Sequence, residues 1–291
     1  MYLGAVILAV GIFGVQYVGI KEFSRRYFRG TLSYMHFEMW YLGIAGLILA
    51  LWKGISLPQS MATGICALLF GAGISGAFYY LNNAFSKGPM STASMIMTLA
   101  ILAPIGVDVA GFGKRLNGMQ ILALLLLGIG FAVLSGGKAG RGFAARYIKD
   151  CILAAVWNGI MLSSISLQQR LCQGREQTLF LALGLLAGAV VSAVSFGVKG
   201  RAGERGWAKS NRKEKIFWLL SVIVALATLT GNLLNIQISN QLPSVIQFPC
   251  VIGGGILFNM ISARIIYGEK IEPGQWAGFF LCIMALICIN Q

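Results

Sequence analysis

Charge is scarce in this 291-residue chain: Asp, Glu, Lys and Arg together make up 11%, against about 25% in a soluble domain. Acids are scarcest, with nine Asp and Glu against 23 Lys and Arg. His36 is the only histidine, which excludes a histidine-based metal centre. The six cysteines (66, 151, 172, 250, 282 and 288) form no Cys-x-x-Cys pair, and most sit inside apolar runs, where a thiol acts as a small packing group. There is no Gly-x-x-x-x-Gly-Lys-Ser/Thr loop to hold ATP, no His-Glu-x-x-His and no Gly-x-Ser-x-Gly. An enzyme needs such a constellation, so none is expected here, and no cofactor or metal is expected either.

What fills the chain instead is oil. Hydrophobic residues reach 57% and mean hydropathy is +0.77, more apolar surface than a soluble core of this length can hide. Disordered chains are poor in such residues, so disorder is excluded too. A net charge of +14 would suggest nucleic acid in a soluble protein. Here the charges fall in short blocks between apolar runs, at 21–29, 138–149 and 199–215, the pattern of membrane-protein loops, and nucleic acid is not an expected partner.

Apolar segments lie at about 2–20, 33–52, 62–84, 90–110 and 118–136, then at about 150–169, 178–198, 216–238, 243–263 and 272–290. Each is about the 20 residues that a spanning helix needs. Lipid leaves no partner for open backbone groups, so the expected fold is an all-α integral membrane protein of ten transmembrane helices. The first segment has no basic flank before it and reads as a retained span rather than a leader. Gly184 with Gly188, and Gly274 with Gly278, have the spacing of close helix contacts. Packing within one chain is the expected use, with function as a monomer; a homodimer is the alternative.

Counting Lys and Arg by loop gives eighteen after odd-numbered spans, against five at the termini and after even-numbered ones. The positive-inside rule then puts both termini outside the cytoplasm. The two halves also resemble each other. Gly113-Lys-Arg-Leu-Asn-Gly-Met-Gln120 precedes span five, and Gly268-Glu-Lys-Ile-Glu-Pro-Gly-Gln275 precedes span ten, 155 residues later. Pro89 and Pro243 open spans four and nine. Five is odd, so the halves are expected to be inverted: 1–137, a basic linker at 138–149, and 150–291. Inverted repeats build solute sites between their halves near the midplane.

With these features the chain resembles the drug/metabolite transporter superfamily, in its ten-helix EamA-like branch. The resemblance covers essentially the whole chain. It rests on Gly268-Glu269-Lys270 with Gln275 before the last span, on Phe13-Gly14 with Lys21 in the first, and on Trp157 at the matching place in span six. Phe13 stands where the family has Trp, and Lys114 where it often has Glu. The resemblance implies a solute carrier of the cell membrane working by alternating access. It implies a central cavity lined by spans one, three, four, six, eight and nine. It also implies cytoplasmic termini, opposite to the charge count.

Polar side chains at lipid depth tend to face a bundle interior. The candidates for touching a solute are Gln16, Tyr17, Tyr79, Asn82, Asn83, Met95, Trp157, Asn158, Met161, Asn232, Asn235 and Gln247. Asn82 is paired with Asn235 as a rough symmetry mate. Pro104 and Pro249 interrupt spans four and nine and are candidate gates. Glu38 is a candidate for proton coupling, although its place two turns into span two reads first as a headgroup charge. With no central acid, the cavity is expected to be neutral. That favours a neutral, zwitterionic or amphipathic metabolite such as an amino acid. A quaternary-ammonium or drug exporter and a non-transporting membrane sensor are the alternatives.

Overall fold

The computed structural model describes residues 2–27, 31–54, 58–89, 92–93, 96–113, 115–136, 145–173, 175–199, 215–242, 244–268 and 273–289. No strand occurs among them. The helices are α1 (Tyr2–Tyr27), α2 (Thr31–Lys53), α3 (Met61–Lys87), α4 (Leu102–Phe112), α5 (Gly118–Gly136), α6 (Ala145–Cys172), α7 (Gln177–Lys199), α8 (Lys215–Ser239), α9 (Ser244–Tyr267) and α10 (Pro273–Ile289). A 3-10 turn, Met97–Ile101, leads into α4. Among the described residues α1, α2, α3, α6, α7 and α8 are long and apolar enough to cross a membrane. The chain is thus all-helical and of membrane-spanning character.

Most apolar runs become helices within a few residues of the expected bounds, because a helix satisfies its own backbone in oil. Span four departs from an unbroken helix over 90–110. Pro104 has no N–H for the carbonyl of Ala100, and the 3-10 turn precedes it, tightening the backbone where the α-helical bond is lost. The repeated glycines have a common use. Gly113 ends α4 and Gly268 follows α9, both at φ 64°, a left-handed conformation that favours glycine. Gln120 also has a local reason: the Asn117 backbone N–H donates to its Oε1 at 3.1 Å, and its own N–H donates to Asn117 Oδ1 at 2.7 Å. That is a capping box at the start of α5.

Close packing pairs helices antiparallel. Along α3 and α6, Thr63 Oγ1 lies 3.3 Å from Cys172 Sγ at one end and Lys87 pairs with Asp150 at the other. Along α2 and α7, Glu38 meets Ser192, Leu42 meets Gly188, and Leu186 meets Gly46. Along α1 and α8, Phe13 meets Gly231, Gln16 meets Thr228, and Gly19 meets Val224. Helices α5 and α10 pack on each other, α4 lies along α6, and α9 along α1. Gly184 and Gly188 are used inside the chain: a Cβ on the first would meet the Phe70 ring at 2.7 Å, and on the second the Leu42 side chain at 2.9 Å.

The turn between α6 and α7 holds Gln173 and Glu176 at positive φ, 50° and 57°, uncommon for residues with a Cβ. Glu176 is held there by its carboxylate, which takes the Gln59 N–H at 2.7 Å, the Thr63 hydroxyl at 2.7 Å and the Ser60 N–H at 3.4 Å. It thereby caps α3, where the Ser60 side chain makes no cap. The Gln59 N–H first, and then the Thr63 hydroxyl, lower its carboxyl below the usual glutamate range. A depressed acid stabilises the fold above its unfolded value, and that stabilisation fades as pH falls through its folded value. Thermal unfolding in detergent should therefore show stability declining on acidification, and Glu176→Gln should flatten that part of the profile.

Candidate functional site

A cavity opens in the middle of the bundle. It is lined by Phe13, Gln16 and Tyr17 of α1, Ile74 and Phe78 of α3, and Met97 of the 3-10 turn. Asn158, Met161 and Leu162 of α6, Asn232 and Asn235 of α8, and Val251, Gly255 and Asn259 of α9 complete it. These are the six segments that the family resemblance implies. No charged residue lines the cavity among the described residues.

Glycines bring the walls close. A Cβ on Gly73 would lie 2.7 Å from the Met161 backbone N, and one on Gly14 would lie 2.1 Å from the Phe258 ring. Gln16 donates to Thr228 Oγ1 at 2.8 Å, tying α1 to α8 inside the cavity wall. The Tyr17 hydroxyl points at Met97 Sδ, 3.8 Å away. Asn232 donates its Nδ2 to the Thr228 carbonyl at 2.8 Å. Gln247 lies behind Asn235 and donates to its backbone O and Oδ1, each at 2.7 Å.

Amide oxygens are left over, those of Asn232 and Gln247 among them. Among the described residues Asn232 Oδ1 and Gln247 Oε1 are buried without a hydrogen-bond partner. Neither can be cured by turning the amide, since each nitrogen donates to a backbone carbonyl that an oxygen would repel. Asn232 therefore offers the cavity a fixed acceptor. An unmet buried acceptor costs about 1–3 kcal/mol, so this oxygen calls for a hydrogen-bond donor, from water or a solute alike.

The sequence-based candidates divide. Gln16, Tyr17, Asn158, Met161, Asn232 and Asn235 line the cavity, and Gln247 backs it. Tyr79 is turned away, its ring edge-on to Tyr80 at 5.0 Å. Asn83 and Trp157 are also outside the lining; the Trp157 ring sits against Gly76, whose Cβ would lie 2.5 Å from it. Asn82 lies between α1 and α3 facing Ser24, not in the cavity. Met95 lies outside the described residues. Pro104 is buried in α4, and Pro249 falls within α9. Val251 and Asn259 went unnoticed in the sequence. The spacing of Val251, Gly255 and Asn259, four and four, is the helical signal for one face.

Glu38 and Asp108 are the two fully buried acids among the described residues. Glu38 is fully buried in the protein between Tyr41 and Ser192. Asp108 is fully buried and takes a two-pronged pair from Arg170, Nε to Oδ1 at 2.7 Å and Nη2 to Oδ2 at 2.9 Å. The Phe112 ring lies 5.1 Å from the guanidinium. Arg170, counted above as a loop charge, therefore belongs to α6.

No family model matches the sequence, and no curated relative matches it. A solved structure described only as a crystal structure of a protein is similar over 99% of this chain and 98% of its own. The TM-score is 0.66 at 16% identity, a likeness of fold alone.

Proposed function

We propose that the chain is a secondary transporter of the drug/metabolite type, working by alternating access in the cell membrane. Its solute is a small neutral or zwitterionic metabolite that donates a hydrogen bond, such as an amino acid. The observation that carries this is the uncharged central cavity with a fixed, unmet acceptor at Asn232. A solute N–H would fill it; strong cations and anions find no countercharge.

Twofold-related, inverted halves are part of the proposal, and the packing supports them. Exchanging each helix for the one five later turns the α3–α6 contact into α8–α1, α3–α7 into α8–α2, and α4–α6 into α9–α1; all are present. The pairs α2–α7 and α5–α10 map onto themselves. At residue level, Trp157 seats on Gly76 and its counterpart Phe13 seats on Gly231, and the two glycines are 155 residues apart. A carrier with two such halves can rock about the site between them.

A quaternary ammonium is the second reading, favoured by the rings of Phe13, Tyr17 and Phe78 in the lining. It has no N–H for Asn232, and the two solutes part there. Uptake into proteoliposomes across amino acids, sugars, nucleosides and ammonium compounds tests the proposal. Flux is expected for an N–H donor, and no flux for any of the panel would refute it. Asn232→Leu removes one hydrogen bond to the solute, about 1.5–3 kcal/mol if the donor is an ammonium. The half-saturation concentration should then rise about 10- to 100-fold. An unchanged value would remove Asn232 from the site.

A further inference from the structure

We propose that Glu38 is a proton-binding site, separate from the solute cavity, whose proton ties α2, α7 and α3 together. A single file of hydroxyls crosses these helices. Tyr34 and Tyr41 hydroxyls are 3.0 Å apart, and Tyr41 is 3.2 Å from Glu38 Oε1. Glu38 Oε2 is 2.9 Å from Ser192 Oγ, which is 3.1 Å from Ser75 Oγ, which is 2.9 Å from the carbonyl of Gly188.

That file has five links, and its four hydroxyls carry four hydrogens. The Gly188 carbonyl can only accept, so Ser75 donates to it, Ser192 donates to Ser75, and Oε2 must donate to Ser192. At the other end Tyr34 donates to Tyr41 and Tyr41 to Oε1. Every link is satisfied when Glu38 is a carboxylic acid, and one link fails when it is a carboxylate.

The surroundings supply no countercharge. From its own helix Glu38 faces Tyr34 and Tyr41, while His36, two residues before it, packs against Phe196 and Phe217. The Trp40 Nε1–H donates to His36 Nε2 at 3.3 Å. From α7 it faces Ser192, and beyond that Ser75 of α3; α1 and α8 bring Phe23 and Phe217 to the same core. Among the described residues Glu38 makes no ion pair. A bare buried carboxylate costs far more than a neutral acid.

The file ends on α3 at Ser75, beside Ile74 of the cavity wall and Gly76 under Trp157. Loss of the proton, from acid to carboxylate plus a proton released to water, turns the Ser192 hydroxyl to Oε2, and Ser75 of α3 keeps only one of its two hydrogen bonds to α7. A wall of the cavity is thereby joined to the protonation of Glu38. Use of that link to drive transport rests on the function proposed above; the proton site itself does not.

Infrared difference spectroscopy on the purified protein at neutral pH tests the site without any flux. The C=O stretch of a protonated carboxylic acid is expected in the wild type and should be missing in Glu38→Gln; identical spectra would overturn the proposal. Glu38→Gln should unfold near the wild-type temperature, since its amide accepts from Tyr41 and donates to Ser192 as the acid does. Glu38→Ala should unfold earlier. The reverse order would also overturn it. In proteoliposomes Glu38→Gln should keep solute exchange but lose acceleration by a pH gradient. Acceleration that persists refutes the coupling, whereas a wild type without any flux refutes the transport reading and leaves the infrared result standing.

Discussion

Arg170→Ala should destabilise the protein by about 3–5 kcal/mol, a cost typical of stranding one partner of a buried pair. The Arg170 side chain is 28% exposed and Asp108 is 0% exposed, so the cost falls on the acid that stays behind. Asp108 would keep the Ser166 hydroxyl, which donates to it at 3.3 Å. Adding Asp108→Asn should recover most of the loss, because a neutral amide needs no countercharge. Asp108→Asn alone should cost less than Arg170→Ala, since the guanidinium left behind is partly hydrated. Thermal or denaturant unfolding of the three variants in detergent gives this cycle. An Arg170→Ala protein as stable as wild type would mean that the pair does not hold α4 to α6.

A comparable loss is expected from one methyl group at Gly73. A Cβ there would lie 2.7 Å from Met161 N and 2.9 Å from Met161 Cα, and backbone cannot rotate aside as a side chain can. Helices α3 and α6 must part, at about 1–3 kcal/mol for overpacking, with more for valine than for alanine. Gly71 is the same kind of position, with Gly184 O and Gly188 N each 2.7 Å from its added Cβ. Gly106→Ala is the control: nothing lies within 4 Å of its added Cβ, so helix propensity alone applies and stability should hold or rise. Equal losses at Gly73 and Gly106 would contradict the close approach. In lipid, where apolar burial gives no drive, such small-residue contacts bring helices together.

The helices were legible because oil and length leave little choice of structure. Gly113 and Gly268 stood out in the sequence as helix ends because a left-handed turn favours glycine at both. The amides of the site were legible as polar atoms in apolar runs. Their facing was not, because rotation of a helix about its axis is set by its neighbours. Tyr79 and Asn83 share α3 with Ile74 and Phe78, yet only the latter two reach the cavity. Asn259 was hidden because one amide in an apolar run carries no hint of a partner. The partners of the two acids were hidden for a related reason. Ser192 is 154 residues from Glu38, and Arg170 is 62 from Asp108, so neither pairing leaves a local trace.

The proposed carrier presents one cavity alternately to two sides. Solute counterflow tests it most directly. Proteoliposomes are loaded with a solute identified by the uptake panel, and entry of the labelled solute is followed with and without that internal load. A carrier returns faster when loaded, so the account predicts that internal solute accelerates entry in the wild type. It predicts that Asn232→Leu shows this only at higher solute concentration. Entry indifferent to internal solute would contradict alternating access through this cavity.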